Sequence, residues 1–389
     1  MTTGSLEVRD LTNADEEQAL GVRARSFGKL DESSRAWWTS VQAEVIAQRR
    51  VLGAFDGERL VGTAKGRSFS QFWGGRSVPM SGIAGVVVAP DYRRRGVASL
   101  LMRALAERSI ELGDSVSALY PATLAPYRRS GWEVVGAQHR ITIDSGHLRG
   151  LGSPDVRVRP GSKADVERVQ QLLEHSYATR RANGAKLLAP GDIEDALTDD
   201  SFSYFAEDGF VLYEWHEGAL VVTCLVAGSE ATARALWSVV GSGSSIAKQV
   251  HAYVSPDDPV SLLLPEEAAH EVFQNRWMFR LLDAPAAIAA RGLADRANGS
   301  ALLSLTDPLL PSQSGTWRLE VEGGRAELTR TGRNDEALRL GPNGLACLYA
   351  GTSLHTLRTA GLVAGGRAEA DDLLDAAFAG STPYLLEYF

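Results

Sequence analysis

Three arginines and a glycine, Arg93-Arg94-Arg95-Gly96-Val97-Ala98-Ser99, stand directly after the apolar run Gly85-Val86-Val87-Val88-Ala89-Pro90. A strand that enters such a turn and then opens a helix presents free backbone N–H groups and the positive helix end to an anion. The arginines add charge-assisted contacts, so the chemistry suggested is the holding of a phosphate-rich ligand. Gly96 permits close backbone approach and Ala98 keeps the next turn clear. The spacing Arg93-x-x-Gly96-x-Ala98 is neither a P-loop, which needs Gly-Lys-Ser/Thr, nor a dinucleotide fingerprint. An exposed basic turn ahead of a helix is the plainer reading of the same residues. A second candidate is the closing segment, Thr382-Pro-Tyr-Leu-Leu-Glu-Tyr-Phe389, which ends in two aromatics after two leucines. Such an end is expected to dock, and docking would partly bury the α-carboxylate and make it a better base than one in water. A plain packing anchor is the alternative.

The elements that must position these groups read as alternating strands and helices. Leu6-Glu-Val-Arg9 predicts a short strand, and Thr12 with early acids opens a helix running towards Phe27. Val51–Phe55 and Leu60–Ala64 flank Asp56-Gly57 and predict an antiparallel hairpin. The small and β-branched residues from Ser81 to Ala89, closed by Pro90, predict a buried strand. Gly96 to Leu112 carries apolar residues at helical spacing with Gly113 as terminator, and Val116–Tyr120 reads as the next strand.

The opening pattern returns 150 residues later: Val8-Arg9, Thr12, Ala14-Asp15 and Glu17 recur as Val158-Arg159, Ser162, Ala164-Asp165 and Glu167. A duplicated domain is the economical reading. Val211–Trp215 and Leu220–Cys224 around His216-Glu-Gly218 look like a second copy of the first hairpin. A boundary falls near Asp283-Ala-Pro285, after which strands such as Trp317–Val321 and Ala326–Arg330 and the helix Ala370–Phe378 predict a small α+β unit.

Composition narrows the class. A chain of 389 residues is expected to form two or three domains. No run reaches 18 apolar residues and the first ten residues show no signal-peptide pattern, so neither a membrane span nor a secreted form is expected and cytoplasmic residence is the default. The two cysteines, Cys224 and Cys347, sit in apolar settings, and the seven histidines never fall at metal-ligand spacing, so no metal is expected. A net charge of −8 argues against nucleic acid as a partner and suits a cationic small substrate.

The Arg93-x-x-Gly96-x-Ala98 loop resembles the acetyl-coenzyme A pyrophosphate loop of the GCN5-related N-acetyltransferases. Tyr127-Arg-Arg-Ser-Gly131-Trp132 resembles the Tyr-x-x-x-Gly-aromatic segment after their fifth strand. That resemblance implies that backbone N–H groups of a splayed fourth strand, at Val86, Val87 and Val88, polarise the thioester. It also implies that Tyr127 protonates the departing thiolate, as a phenol near pKa 10 can at neutral pH. A core tyrosine with a satisfied hydroxyl is the other reading of Tyr127.

Across its whole length the chain resembles the Enhanced intracellular survival (Eis) family. The resemblance is carried by Val86–Val88, Arg93–Ala98, Pro126-Tyr127, the Leu282-Asp-Ala-Pro285 junction and the aromatic last residue. It implies an α/β (α+β) fold: two tandem GNAT-like domains, residues 1–150 and 151–284, and a sterol-carrier-protein-like α+β domain, residues 285–389. The resemblance further implies acetyl-CoA as co-substrate, Tyr127 as proton donor and the Phe389 carboxylate as base. Coenzyme contacts are expected from Val86 to Val88, from Arg94, Arg95, Gly96, Val97, Ala98 and Ser99, and from Ala122 and Thr123. Family members acetylate amino groups of aminoglycosides and assemble as homohexamers, so a small-molecule amine acceptor and a hexamer are expected.

The second unit departs from that pattern. It reads Gly228-Ser-Glu-Ala-Thr-Ala-Arg234 where the basic loop should be, so one cofactor site per chain is expected. Trp37 and Trp38 follow the first helix where such folds cover the acceptor; they suit stacking on sugar rings as well as a core role. Acidic residues are expected to line a pocket that takes polycations. Two other readings are a protein lysine or N-terminal acetyltransferase, and a lipid- or metabolite-binding protein that works through its third domain.

Overall fold

The computed structural model describes residues 6–198, 201–264 and 269–389. The first unit runs β1 (Glu7–Asp10), α1 (Glu16–Phe27), α2 (Glu32–Ala47), β2 (Val51–Asp56), β3 (Arg59–Trp73), β4 (Arg76–Val88), α3 (Val97–Glu111), β5 (Val116–Leu119), α4 (Leu124–Arg129) and β6 (Glu133–Asp144). The second repeats the order with β7 (Arg159–Pro160), a helix at Val166–Thr179, β8 (Phe202–Ala206), β9 (Gly209–His216), β10 (Ala219–Ala227), a helix at Glu230–Gly241, β11 (Gln249–Val254) and β12 (Ala269–Leu281). Together they form one 12-stranded sheet, ordered β1-β2-β3-β4-β5-β12-β6-β11-β10-β9-β8-β7.

The duplication is visible atom by atom. In the first copy Asp15 accepts both guanidinium nitrogens of Arg9, at 2.9 and 2.8 Å, together with the Thr12 backbone N–H and hydroxyl. Those bonds hold its carboxyl down at about 2. In the second, Asp165 accepts Arg159 and Ser162 in the same way. Arg9 also lies over the Phe55 ring and Arg159 over Phe205, again 150 positions on. Aligning the copies on these residues corrects one expectation. The counterpart of the β2–β3 hairpin is β8–β9, turning at Glu207-Asp208, whereas β9–β10 corresponds to β3–β4: β10 pairs in parallel with β11 as β4 does with β5.

The two copies exchange their final strands. β12 enters between β5 and β6, with Met278 opposite Leu119 and Leu281 opposite Val116, while β6 pairs with β11 from Asp144↔Gln249 to His139↔Val254. The third unit is a five-stranded sheet, β15 (Arg325–Thr331), β14 (Gly315–Glu322), β13 (Gly299–Leu305), β16 (Leu338–Leu340) and β17 (Val363–Gly365) in spatial order, with helices at Pro342–Tyr349 and Ala368–Phe378. Strand β14 alternates buried Trp317, Leu319 and Val321 with exposed Arg318, Glu320 and Glu322. An aromatic cluster joins the three units, with Trp73 4.7 Å from Phe279 and Phe279 5.5 Å from Tyr349. Cys224 and Cys347 are buried and unpaired. Among the described residues no helix is long and apolar enough to cross a membrane, and no group of three or more His, Cys, Asp or Glu is placed to hold a metal.

Candidate active site

Strand divergence creates the site. Parallel β4 and β5 pair only from Met80↔Val116 to Ile83↔Leu119, after which β5 ends and β4 continues to Val88. A bulge sharpens the divergence: Thr63 faces Val87 and Lys65 faces Ala84, so two residues of β3 span three of β4, with Gly85 between them at φ +59°. The edge carried by Val86 to Val88 is left without a β5 partner, with its backbone groups turned to a cleft.

Beyond β4 the chain turns through Arg94 at φ +65° and Gly96 at φ +82° into α3. Gly96 caps α3 without a side chain, no acid lies in the first turn, and the first N–H to bond back is Leu100 to the Gly96 carbonyl. The N–H groups of the first turn therefore stay free beside the positive helix end. A cleft of about 430 Å³ lies against them. Of the residues expected to touch coenzyme A, it is lined by Val86 and Val88, by Arg94, Gly96, Val97, Ala98 and Ser99, and by Ala122 and Thr123. Arg95 does not line it and instead lies over the Tyr92 ring at 5.0 Å. Val87 is turned to the opposite face of the strand, among buried Leu60 and Val51. Arg93 and Arg129 complete the basic lining. Among the described residues, free helix N–H groups and three arginines, with no carboxylate side chain, line the cleft as a donor set suited to a pyrophosphate.

Tyr127 sits in α4 at the inner end of this cleft. Its ring packs, partly buried, against the core of the first unit, and among the described residues its hydroxyl has no hydrogen-bond partner. Burial, with Tyr388 beside it, raises its pKa above the usual phenol value and keeps the proton on the oxygen. The segment behind it is fixed by a residue that sequence reading passed over. Fully buried Arg280 of β12 donates to the Ser130 carbonyl at 2.7 Å, pairs with Asp307 of the third unit and lies 5.1 Å over the Trp132 ring. Gly131 has φ +89°, and a Cβ there would meet the Arg280 guanidinium at 1.7 Å. The signal was a single arginine inside the apolar run Trp277-Met278-Phe279-Arg280-Leu281-Leu282.

On the other side of the strand edge lies a second cleft of about 450 Å³. The chain end reaches it by docking along β6: Tyr384 bridges to Ala137, Gln138 donates to the Leu386 carbonyl at 2.7 Å, and the Tyr120 hydroxyl donates to the Glu387 carbonyl at 3.0 Å. Tyr384, Leu385 and Leu386 are buried. The Phe389 ring rests 5.3 Å from Phe69 and 5.5 Å from Tyr120, above Gly82, where an added Cβ would come within 2.8 Å of it. Phe389, Trp37 and Trp38 all line this cleft, Trp37 being 61% exposed and Trp38 packed against the core below α1. Val86, Ala122 and Tyr127 line both clefts, so the two meet at the phenol. The expectation of an acidic pocket is not met here: among the described residues lining this cleft there is no Asp or Glu, while Arg23, Lys65 and Arg67 face it.

Among its described residues the second copy has no comparable loop. Ser229 caps its helix by accepting the Thr232 N–H at 3.3 Å, Glu230 lies in the first turn, and the Thr232 hydroxyl donates to Asp208. A Cβ on Gly228 would lie 2.9 Å from an Asp208 carboxylate oxygen. Carboxylates stand where an anionic ligand would need donors.

Comparison with known proteins agrees with this geometry. Residues 7–135 match the family described as an acetyltransferase (GNAT) domain, residues 197–281 match another acetyltransferase (GNAT) domain family, and residues 284–386 match the sterol carrier protein domain. The crystal structure of a GCN5-related N-acetyltransferase from Kribbella flavida is 50% identical, covers 99% of this chain and 98% of its own, and superposes with a TM-score of 0.96. This chain belongs to the GCN5-related N-acetyltransferases. Its relatives include the N-acetyltransferase Eis of Mycobacterium tuberculosis, 28% identical over 90% of this chain and 91% of that protein. The crystal structure of Eis1 from Mycobacterium abscessus, at 23% identity and a TM-score of 0.77, shares the fold over 99% of this chain and all of its own. This N-acetyltransferase thus has two GNAT domains and a sterol-carrier-like domain in the order the Eis resemblance implied.

Proposed function

We propose that the protein transfers the acetyl group of acetyl-CoA to a primary amine of a small molecule, by direct attack in a ternary complex held in the first GNAT domain. The observation that carries this reading is the meeting of the two clefts at Val86, Ala122 and Tyr127. The free N–H groups of the α3 first turn, with Arg93, Arg94 and Arg129, hold the pyrophosphate. The open edge of β4 at Val86 to Val88 supplies backbone dipoles to the thioester carbonyl. The terminal carboxylate of Phe389, on the acceptor side, takes the proton from the amine, and Tyr127 gives its proton to the departing thiolate. The second GNAT domain, with carboxylates at its helix start, shapes the assembly and binds no coenzyme. A steady-state assay with acetyl-CoA and a panel of amines tests the reading: thiol release that depends on the amine is expected, and none with any amine would refute it.

An aminoglycoside-like polycation as acceptor has one observation in its favour. A hollow of about 320 Å³ in the second domain is lined by Asp192, Asp195, Glu214 and Glu387, and Asp192 lies 3.7 Å from Arg67 of the acceptor cleft. The Eis relationship also supports assembly as a homohexamer in the cytoplasm, for which light scattering should give six times the chain mass.

A further inference from the structure

We infer that the acceptor amine also carries an anionic group, a carboxylate or a phosphate, which Lys65, Arg67 and Arg23 hold in the acceptor cleft. The inference rests on the acetyl-transfer reading above and names its substrate class. Thr63, Lys65 and Arg67 alternate along β3 and so share one face, the face that looks into the cleft beside the β4 bulge. A Cβ on Gly85 would lie 3.4 Å from the Lys65 Cε, so the lysine stem passes over the residue where β4 bulges. Lys65 is partly buried, and among the described residues its ammonium has neither a carboxylate nor a hydrogen-bond partner. Burial, reinforced by the charges of Arg67 and Arg23, lowers its pKa to about 8.

Its two neighbours are also weakly compensated. Arg67 reaches Asp192 only at 3.7 Å and otherwise lies over the Phe69 ring; Arg23 donates to the Gly28 carbonyl. Among the described residues three cations and no Asp or Glu line this cleft. Converging like charges are unfavourable unless something of opposite sign joins them. The terminal carboxylate of Phe389 can offset one at most, and as the base it must stay free for the amine. A bound anion supplies the remainder. The same positive field lowers the pKa of an incoming ammonium, which helps the amine shed the proton it must lose before attack.

The test uses the full chain and matched acceptors: 4-aminobutyrate against butylamine, and 3-aminopropyl phosphate against 3-aminopropanol, with an aminoglycoside as the polycation. The anionic member of a pair should show kcat/KM about 10- to 100-fold higher than its neutral partner, the range for a charge-assisted contact. The pair with the larger ratio distinguishes carboxylate from phosphate. Lys65→Gln and Arg67→Gln should bring that ratio close to one, with unchanged melting and coenzyme A affinity showing that the variants fold. Binding is read separately by calorimetry with butyrate and propyl phosphate, which lack the amine: the wild type should bind one of them and Lys65→Gln should not. Preference for the neutral amines or the aminoglycoside, or a ratio that survives both substitutions, overturns the inference while leaving acetyl transfer intact. No amine-dependent thiol release with any acceptor overturns the acetyl-transfer reading, and an anion bound equally by wild type and Lys65→Gln overturns this one.

Discussion

Replacing Gly82 by alanine puts a methyl group under the last residue of the chain. Built on the backbone, that carbon lies 2.6 and 2.7 Å from the Phe69 ring and 2.8 Å from the Phe389 ring. Carbon atoms settle at about 3.5–4 Å, so both rings must retreat by roughly 1 Å. Overpacking of this kind costs about 1–3 kcal/mol, too little to unfold a chain of this size. A displacement of about 1 Å at a catalytic group, by contrast, can cost on the order of 100-fold in rate. Gly82 lies outside the coenzyme cleft, so affinity for coenzyme A should hold. The expected result is a kcat lower by about 100-fold with a melting temperature lower by only a few degrees, read by thiol release and calorimetry. Adding Phe69→Leu should return part of the room and part of the rate. A lower melting temperature with unchanged kcat would show that the position of Phe389 is irrelevant to turnover.

Other outcomes follow from the same geometry. Tyr127→Phe should lower kcat by about 10²- to 10⁴-fold while coenzyme A still binds; loss of binding would make the residue structural. One alanine appended after Phe389 moves the carboxylate and should lower kcat with little change in KM for acetyl-CoA, and an unchanged kcat would remove the terminus as base. Asp307→Ala leaves Arg280 buried without its carboxylate and should cost about 3–5 kcal/mol of stability, measured by denaturant unfolding. Lys65 carries its charge below its lowered pKa of about 8 and loses it above, so affinity for an amine-free anion should be full near pH 7 and fall as the pH passes 8. A flat profile from pH 7 to 9 would exclude Lys65 from the contact.

The parts of the site legible in the sequence are those made by neighbours along the chain. The phosphate loop needs only a strand, a turn with Gly96 and a helix start, and each has a local signal in Val86–Ser99. The duplication showed because Arg9, Thr12 and Asp15 build one local motif that Arg159, Ser162 and Asp165 build again. The docked tail announced itself by aromatic and leucine side chains at a chain end. What was not legible depends on long-range pairing. No local pattern says that β12 inserts beside β5, so the sequence could not place Arg280 behind Gly131 or identify β8–β9 as the copy of the first hairpin. The alternation of Thr63, Lys65 and Arg67 is plain in the sequence, but which face of β3 borders the acceptor cleft is set by tertiary packing. Net charge says as little about one cleft for the same reason: the total is −8, while among the described residues the acceptor cleft is lined by three cations and no carboxylate side chain.

The exchange of final strands explains why a GNAT copy with no phosphate loop is kept at full length. In the first domain β5 ends at Leu119, and the strand beside it is β12, from the second copy. That strand carries Arg280, which fixes the turn after Tyr127 and reaches Asp307 in the third domain. The chain end, which emerges from the third domain, lies along β6, a first-domain strand that pairs with β11 and β12 of the second. The groups assigned to acid and base therefore depend on all three domains, although both line clefts of the first. A cut near residue 150 would remove β12, Arg280 and the tail together. The isolated first domain would keep the loop at Arg93–Ser99 but lose the supports of Tyr127 and the carboxylate of Phe389. Coenzyme binding and turnover should thus separate on truncation, and a first domain that retained full turnover alone would contradict this account of why the three domains stay together.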